Sequence, residues 1–114
     1  MCDCIFCKIA QHEIPVEPVY EDDQVIAFDD MNPQAPVHTL VVPKVHVQDI
    51  TGNLEPETLV SLHKAICEVG IRKGLTQGLR VISNAGADAG QTVMHLHFHV
   101  LGGTSLGEGL LPEV

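Results

Sequence analysis

No stretch of the sequence is apolar for the roughly 18 residues a membrane-crossing helix needs, and no basic segment leads into an apolar core near its start. Neither membrane insertion nor export is predicted, and a cytoplasmic location is the expectation. Positive charge is scarce: six Lys and Arg stand against fifteen Asp and Glu, a formal net charge of −9. Such a chain repels nucleic-acid backbones and lacks the basic stripe that would hold them, so any nucleotide ligand must be small and held locally. No internal repeat or low-complexity segment is visible. At 114 residues the sequence leaves no room for a second domain, yet is long enough to bury a core, so residues 1–114 are expected to form one domain. Cysteine is sparse and uneven, with Cys2, Cys4 and Cys7 crowded at the start and Cys67 alone in a helical pattern. Without an export signal, that spacing points to thiolate chemistry or metal binding rather than a disulfide framework.

The remaining pattern is one of short strands around one long helix. Residues 4–15 read as a short helix, with Ile5, Phe6 and Ile9 at helical spacing and Pro15 as the stop. A turn at Glu21, Asp22 and Asp23 precedes a strand over 24–28, and the two prolines in 32–36 demand a loop. A strand begins at Val37, where Pro43 marks either its end or an edge position. Residues 54–74 form the long helix: Pro56 suits its first turn, Leu59, Leu62, Ile66 and Val69 make an apolar seam, and Arg72 and Lys73 complement its C-terminal dipole. Residues 78–103 read as strand, small-residue loop, strand, with NAGADAG as a hairpin connection. The fold class expected is α+β: an antiparallel sheet of about five strands with one long helix and a short N-terminal helix.

The stretch HLHFH at 95–99 carries the chemistry. Strand periodicity puts His95, His97 and His99 on one face and Leu96, Phe98 and Val100 on the other. Neighbouring imidazoles then start about 6.6–6.8 Å apart at Cα, close enough for two to converge on one phosphate or one metal ion. A lone histidine is ordinarily structural, but three in alternation after a glycine-rich loop favour metal ligation or nucleophilic attack on phosphorus. His38, following the proline-rich loop, could add a fourth imidazole to orient the others.

Together, PQAPVHTLVVPKVH and GQTVMHLHFHVLGG resemble the histidine-triad (HIT) family of nucleotide-binding proteins, and in particular its small adenosine-phosphoramidase branch. The likeness runs from about Cys4 to Gly103. It implies a HIT-like fold in which His97 attacks the α-phosphate to give a nucleotidyl-histidine that water hydrolyses. His99 would contact the phosphate and assist proton transfer, and His38 and His95 would support the geometry. The loop 84–92, Gly90 included, would cradle the phosphate through backbone N–H groups, with side-chain hydrogen bonds from Asn84, Gln91 and Thr92. The family often has serine where this chain has Thr92, which keeps the hydroxyl and adds a methyl. Asp30 would accept both ribose hydroxyls with Met31 alongside, and Ile5, Phe6, Ile9, Phe28 and Leu40 would line the base pocket. An apolar pocket without a decisive polar reader implies tolerance of both adenine and guanine, hence AMP or GMP and their phosphoramidates as ligands.

Cys4-x-x-Cys7 is half of a tetrahedral zinc site, and His12, His38, His46, His63 or a triad histidine could complete it. Zinc-containing relatives imply Cys4, Cys7, His46 and His95, a structural zinc that the chemistry itself does not require. Cys2 and Cys67 are expected to stay unliganded. The resemblance also implies a homodimer, with the long helix and a sheet edge as candidate interface. The favoured reading is a hydrolase that cleaves nucleoside 5′-phosphoramidates such as AMP-NH2 or AMP-lysine. Its alternatives are a dinucleoside polyphosphate hydrolase of the sister branch, and a non-catalytic zinc- or nucleotide-binding module.

Overall fold

The computed structural model describes residues 4–111. In chain order these form α1 (Ile5–Ala10), β1 (Pro18–Glu21), β2 (Val25–Asp29), β3 (Val37–Pro43), α2 (Pro56–Arg72), β4 (Arg80–Ile82) and β5 (Phe98–Gly102), with a 3-10 turn at Ala87–Ala89 before the last strand. All pairings are antiparallel, and the sheet order is β1-β2-β3-β5-β4. The α+β class, the five strands, the long helix and the short N-terminal one are thus as the sequence predicts. No described helix is long and apolar enough to cross a membrane.

Alternation within β2 and β3 divides the core into two layers. Val25, Ala27 and Val41 point to the side covered by α2, where they meet Leu62, Ala65, Val69, Leu96 and Val100. Ile26, Phe28, Leu40 and Val42 point to the other side, where α1 lays Phe6, Ile9 and Ala10 over them. Fully burying each Leu, Val, Ile or Phe is worth about 1.5–3 kcal/mol. Six residues of α1 are too few to hold a helix in water, so tertiary contacts must hold it.

Several boundaries differ from the sequence reading. Helix α1 ends at Ala10, well before Pro15, because the chain turns out through His12 in a left-handed conformation (φ 63°). The strand β1, which the sequence reading did not separate from the acidic turn, pairs with β2 through an irregular register at Pro18 and Tyr20. Pro43 ends β3 rather than marking an edge, since β3 lies between β2 and β5. On α2 the buried set is Thr58, Leu62, Ala65 and Val69, so Leu59 lies outside the seam at 45% exposure and Ile66 lies on its shoulder. Arg72 donates to the carbonyl of Val19 and lies over the Tyr20 ring, and Lys73 pairs with Asp29, so both cations clamp the helix end to the sheet.

The expected histidine strand is shorter than its alternation suggests. The β3–β5 ladder ends at Val41↔Phe98, so His99 alone of the three histidines lies in the sheet. The N–H of Leu96 instead donates to the carbonyl of Val47, which draws residues 95–97 toward the segment after β3. Burial still alternates as predicted in one respect: Leu96 and Val100 are fully buried against α2 with Phe98 packed beside them.

Candidate functional site

The register brings the polar residues to the α1 side of the sheet. Phe28 pairs with Leu40 and Leu40 with His99, so these three share one face. His38, two residues before Leu40, shares it and reaches diagonally, its Nε2 lying 2.8 Å from His99 Nδ1. The His97 and His99 rings have centroids 5.1 Å apart, and Phe6 lays its edge against His97 at 5.1 Å. Asp30 follows β2, its Oδ2 3.5 Å from His38 Nε2 and its Oδ1 accepting the N–H of Asn32. Asp29 faces away from this group, held by Thr39 and Lys73.

Hydrogen-bond partners fix the protons on these rings. The backbone N–H of Gln34 can only donate, so His38 Nδ1, 3.0 Å away, accepts and its single proton sits on Nε2. His38 Nε2–H therefore donates to His99 Nδ1, which leaves the proton of His99 on Nε2. The carbonyl of His95 can only accept, so His97 Nδ1–H donates to it over 2.8 Å. His97 Nε2 then carries the lone pair in the neutral ring, and no described residue occupies it. Burial, reinforced by the neighbouring His97 and His38 and opposed by Asp30, pushes the pKa of His99 down to about 4. His99 is accordingly neutral at pH 7, a donor through Nε2–H.

A second cluster lies behind the first. His95 is fully buried and donates Nε2–H to the carbonyl of Pro43 at 2.8 Å, which frees Nδ1 as a lone pair. That nitrogen lies 3.4 Å from Cys4 Sγ and 3.5 Å from Cys7 Sγ, and His46 Nδ1 lies 3.2 Å from Cys7 Sγ. All four ligand atoms fall within 4.8 Å of one another and could hold a metal ion. A tetrahedral ion with bonds of about 2.0 Å to nitrogen and 2.3 Å to sulfur has nitrogen–sulfur edges of about 3.5 Å, close to these separations. Burial lowers the pKa of His95, against the Pro43 carbonyl that raises it, which keeps the imidazole neutral as a ligand must be. Among the other candidates, His12 pairs with Glu21, His38 belongs to the first cluster, and His63 is exposed on α2, 3.8 Å from Cys67. Cys2 lies outside the described residues.

The apolar residues expected to line a base pocket divide. Phe6, Ile9, Phe28 and Leu40 pack into one cluster, whereas Ile5 is 48% exposed and Met31 is 94% exposed. In the loop, Gly90 adopts φ 86°, a conformation glycine enters without strain, and caps the 3-10 turn. Asn84 is half-buried and Thr92 exposed. Gln91 is buried, and its amide is engaged within the protein: Oε1 accepts from Gly86 N–H, and Nε2 donates to the carbonyls of Gln48 and Val93. Its side chain ties the loop down and has no bond to spare for a phosphate. Sequence reasoning did not single out Ser83, whose hydroxyl donates to the carbonyl of His97, nor the main-chain groups of Gln34 and Pro43 that set the tautomers.

A HIT domain family model matches residues 11–106. The chain is 45% identical over 105 residues to Protein HitA of Neisseria gonorrhoeae, covering 90% of this chain and 97% of that one. Among solved structures, a HIT family hydrolase from Clostridium thermocellum superposes with a TM-score of 0.92 at 44% identity, covering 97% of this chain and 99% of that one. A histidine triad protein from Clostridium difficile superposes with a TM-score of 0.87 at 48% identity, covering 96% and 97% of the two chains.

Proposed function

The chain belongs to the HIT domain family, and from that membership we propose that it is a hydrolase of nucleoside 5′-phosphoramidates, with His97 as nucleophile. The observation that carries this reading is the hydrogen bond from His97 Nδ1–H to the His95 carbonyl, which leaves Nε2 as a fixed lone pair. The solved relative named as a HIT family hydrolase supports the reaction class. Phe6, Ile9, Phe28 and Leu40 receive the purine and Asp30 the ribose hydroxyls, while the loop ending at Gly90 and Thr92 meets the phosphate through its backbone. Asn84 and Thr92 add side-chain hydrogen bonds, and Gln91 acts by holding the loop in shape. Ile5 and Met31, exposed as they are, flank the nucleoside from outside.

In the first step His97 Nε2 forms a bond to the α-phosphorus and the phosphorus–amine bond breaks. The departing nitrogen takes a proton from solvent and leaves as the amine. His99 Nε2–H donates to a non-bridging oxygen as negative charge gathers there. His38, held by the Gln34 N–H, keeps the proton of His99 on that outward nitrogen. In the second step water attacks phosphorus, its proton passes to solvent, the bond to His97 breaks, and the nucleoside monophosphate departs. Splitting one displacement into two at neutral imidazole suits chemistry near pH 7.

Cys4, Cys7, His46 and His95 would hold a zinc ion, which supplies a structural tie between α1 and the segment before β5. A homodimer is part of the same reading: β4 is an edge strand whose Val81 and Ile82 are exposed, as is the neighbouring Leu79, and α2 leaves Leu59 and Val60 outside. Pairing two such edges would cover both sets.

Adenosine 5′-phosphoramidate and diadenosine tetraphosphate, each incubated with the protein, test the function. AMP release from the former with an acid-labile adduct on His97 is expected, and both should vanish in His97→Gly. Equal inactivity of wild type and variant on both compounds would end the enzymatic reading, and preference for the tetraphosphate would move it to the sister branch. Zinc content should fall in Cys4→Ala.

A further inference from the structure

The backbone that carries the nucleophile is not held by the sheet. The ladder to β3 stops at Phe98 and the ladder to β4 pairs Ile82 with His99, so neither reaches His97. Between Gln91 and Phe98 the chain follows no regular element. Something other than sheet pairing must therefore fix where His97 stands and which of its nitrogens carries the proton.

Three routes run from the Cys4, Cys7, His46, His95 cluster to His97. The first is main chain: the carbonyl that accepts His97 Nδ1–H belongs to His95, whose ring is pinned between the two sulfurs and the Pro43 carbonyl. The second is aromatic: Phe6 stands between Cys4 and Cys7 on α1 and makes T-shaped contacts with the rings of both His95 and His97, at centroid distances of 5.9 and 5.1 Å. The third is the segment after β3: the ring of His46 meets that of His95 at 4.9 Å, and Val47 beside it accepts the N–H of Leu96, the residue between the two histidines. His95 itself and Val47, next to His46, thus hold the peptide whose carbonyl orients the nucleophile, while Cys4 and Cys7 hold the His95 ring and Phe6, next to Cys7, meets the His97 ring. Residues behind metal ligands commonly change activity or affinity about 10- to 100-fold when they are altered.

We infer that this four-residue cluster is a positioning device for His97: metal binding at Cys4, Cys7, His46 and His95 holds the His95 carbonyl and the Phe6 ring where they keep His97 in its Nδ1–H form with Nε2 free. The inference deepens the proposed function and rests on it for the role of His97. It adds that the metal centre, whose extremes Cys4 and His95 are 91 positions apart in sequence, works on the reacting nitrogen as well as on the fold.

The test is a Zn2+ titration of chelator-treated protein under reducing conditions, at one pH. It follows the imidazole nitrogens of His97 by long-range proton–nitrogen correlation, alongside AMP affinity and the single-turnover rate of adduct formation from adenosine 5′-phosphoramidate. With Zn2+ bound, His97 shows one Nδ1–H tautomer. Without it, two tautomers exchange and adduct formation slows by about tenfold, while AMP affinity moves by less than about threefold, the split expected when orientation of the nucleophile is lost rather than ligand binding. His46→Ala removes an exposed ligand without opening the core, and should show the metal-free spectrum until excess Zn2+ restores the bound one. An unchanged His97 tautomer in the metal-free protein overturns the inference. So does collapse of the whole amide spectrum on chelation, because the cluster would then hold the fold and not the nucleophile. If the tautomer follows Zn2+ but no adduct forms in either state, the hydrolase reading fails and the coupling stands; equal adduct rates with and without Zn2+ sink the coupling and leave the reading intact.

Discussion

Replacing Gln91 by alanine separates a residue that touches a ligand from one that braces the loop before the histidines. The side chain is buried, and its amide makes three hydrogen bonds: from Gly86 N–H at 2.8 Å, to the Gln48 carbonyl at 2.7 Å and to the Val93 carbonyl at 3.1 Å. At a net value of about 1 kcal/mol each, their loss costs about 3 kcal/mol. For a domain of this size about 4 °C accompanies each kcal/mol, so Gln91→Ala should melt about 12 °C below wild type in thermal denaturation followed by far-UV circular dichroism. Gln91→Glu sharpens the test. It keeps the acceptor for Gly86 but loses both donors and sets a carboxylate against two carbonyl oxygens, so it should be at least as destabilising. AMP affinity should fall in both variants as the loop loosens. Melting within about 3 °C of wild type in both, together with lost affinity, would refute the structural role and return Gln91 to direct phosphate contact.

Other expectations can be checked with similar measurements. In urea denaturation Leu62→Ala should cost about 2–5 kcal/mol, since Leu62 is buried under the sheet, while Leu59→Ala, exposed, should stay within about 0.5 kcal/mol; equal costs would contradict the assigned helix face. The hydrogen bond from Lys44, and then that from His12, hold Glu21 below the usual carboxylate pKa, so its folded form binds protons less readily than the unfolded chain. Stability from this pair is present above the unfolded pKa and lost as pH falls through the folded one, and Lys44→Met should flatten that acid-side slope in denaturation midpoints. His99 has a folded pKa of about 4 against 6.5 unfolded, so the unfolded chain binds the proton first and stability falls as pH drops between those values. By nuclear magnetic resonance its ring should stay neutral at pH 6, and Asp30→Asn should lower the midpoint further because Asp30 opposes the shift; a wild-type midpoint near 6.5 would contradict the burial assigned to it.

The sequence carried the strands through alternation and the long helix through its apolar spacing, but the helix face needed the partner. Leu59, Leu62, Ile66 and Val69 and the buried set Thr58, Leu62, Ala65 and Val69 are both helical stripes, and they share two members. Composition favours the first because leucine and isoleucine look like core. The sheet selects the second because small residues let the helix approach, and Thr58 satisfies its hydroxyl at Gln24. Strand β1 is hidden for a related reason: its four residues, Pro18 to Glu21, run into the acidic turn and are too few to show a period.

The site was legible as residue types and illegible as protons. Alternation told that His95, His97 and His99 differ from Leu96, Phe98 and Val100, and the paired cysteines told that a metal could be held. Which nitrogen can react depends on groups that have no side-chain signature. A main-chain N–H at Gln34 makes His38 a donor to His99, and carbonyls at His95 and Pro43 turn His97 Nε2 and His95 Nδ1 into lone pairs facing different neighbours. Three imidazoles of identical intrinsic chemistry thereby present three different faces: an Nε2–H donor at His99, an open Nε2 lone pair at His97 and an Nδ1 lone pair against two sulfurs at His95. The backbone around them leaves the sheet at the same place: the β3–β5 ladder stops at Val41 and Phe98, its register if continued would bring Leu96 opposite Pro43, which has no N–H to give, and Leu96 N–H donates to Val47 instead. Beyond that end His95 faces Cys4 and Cys7 while His97 stands beside His99, so one short segment outside the sheet serves both clusters.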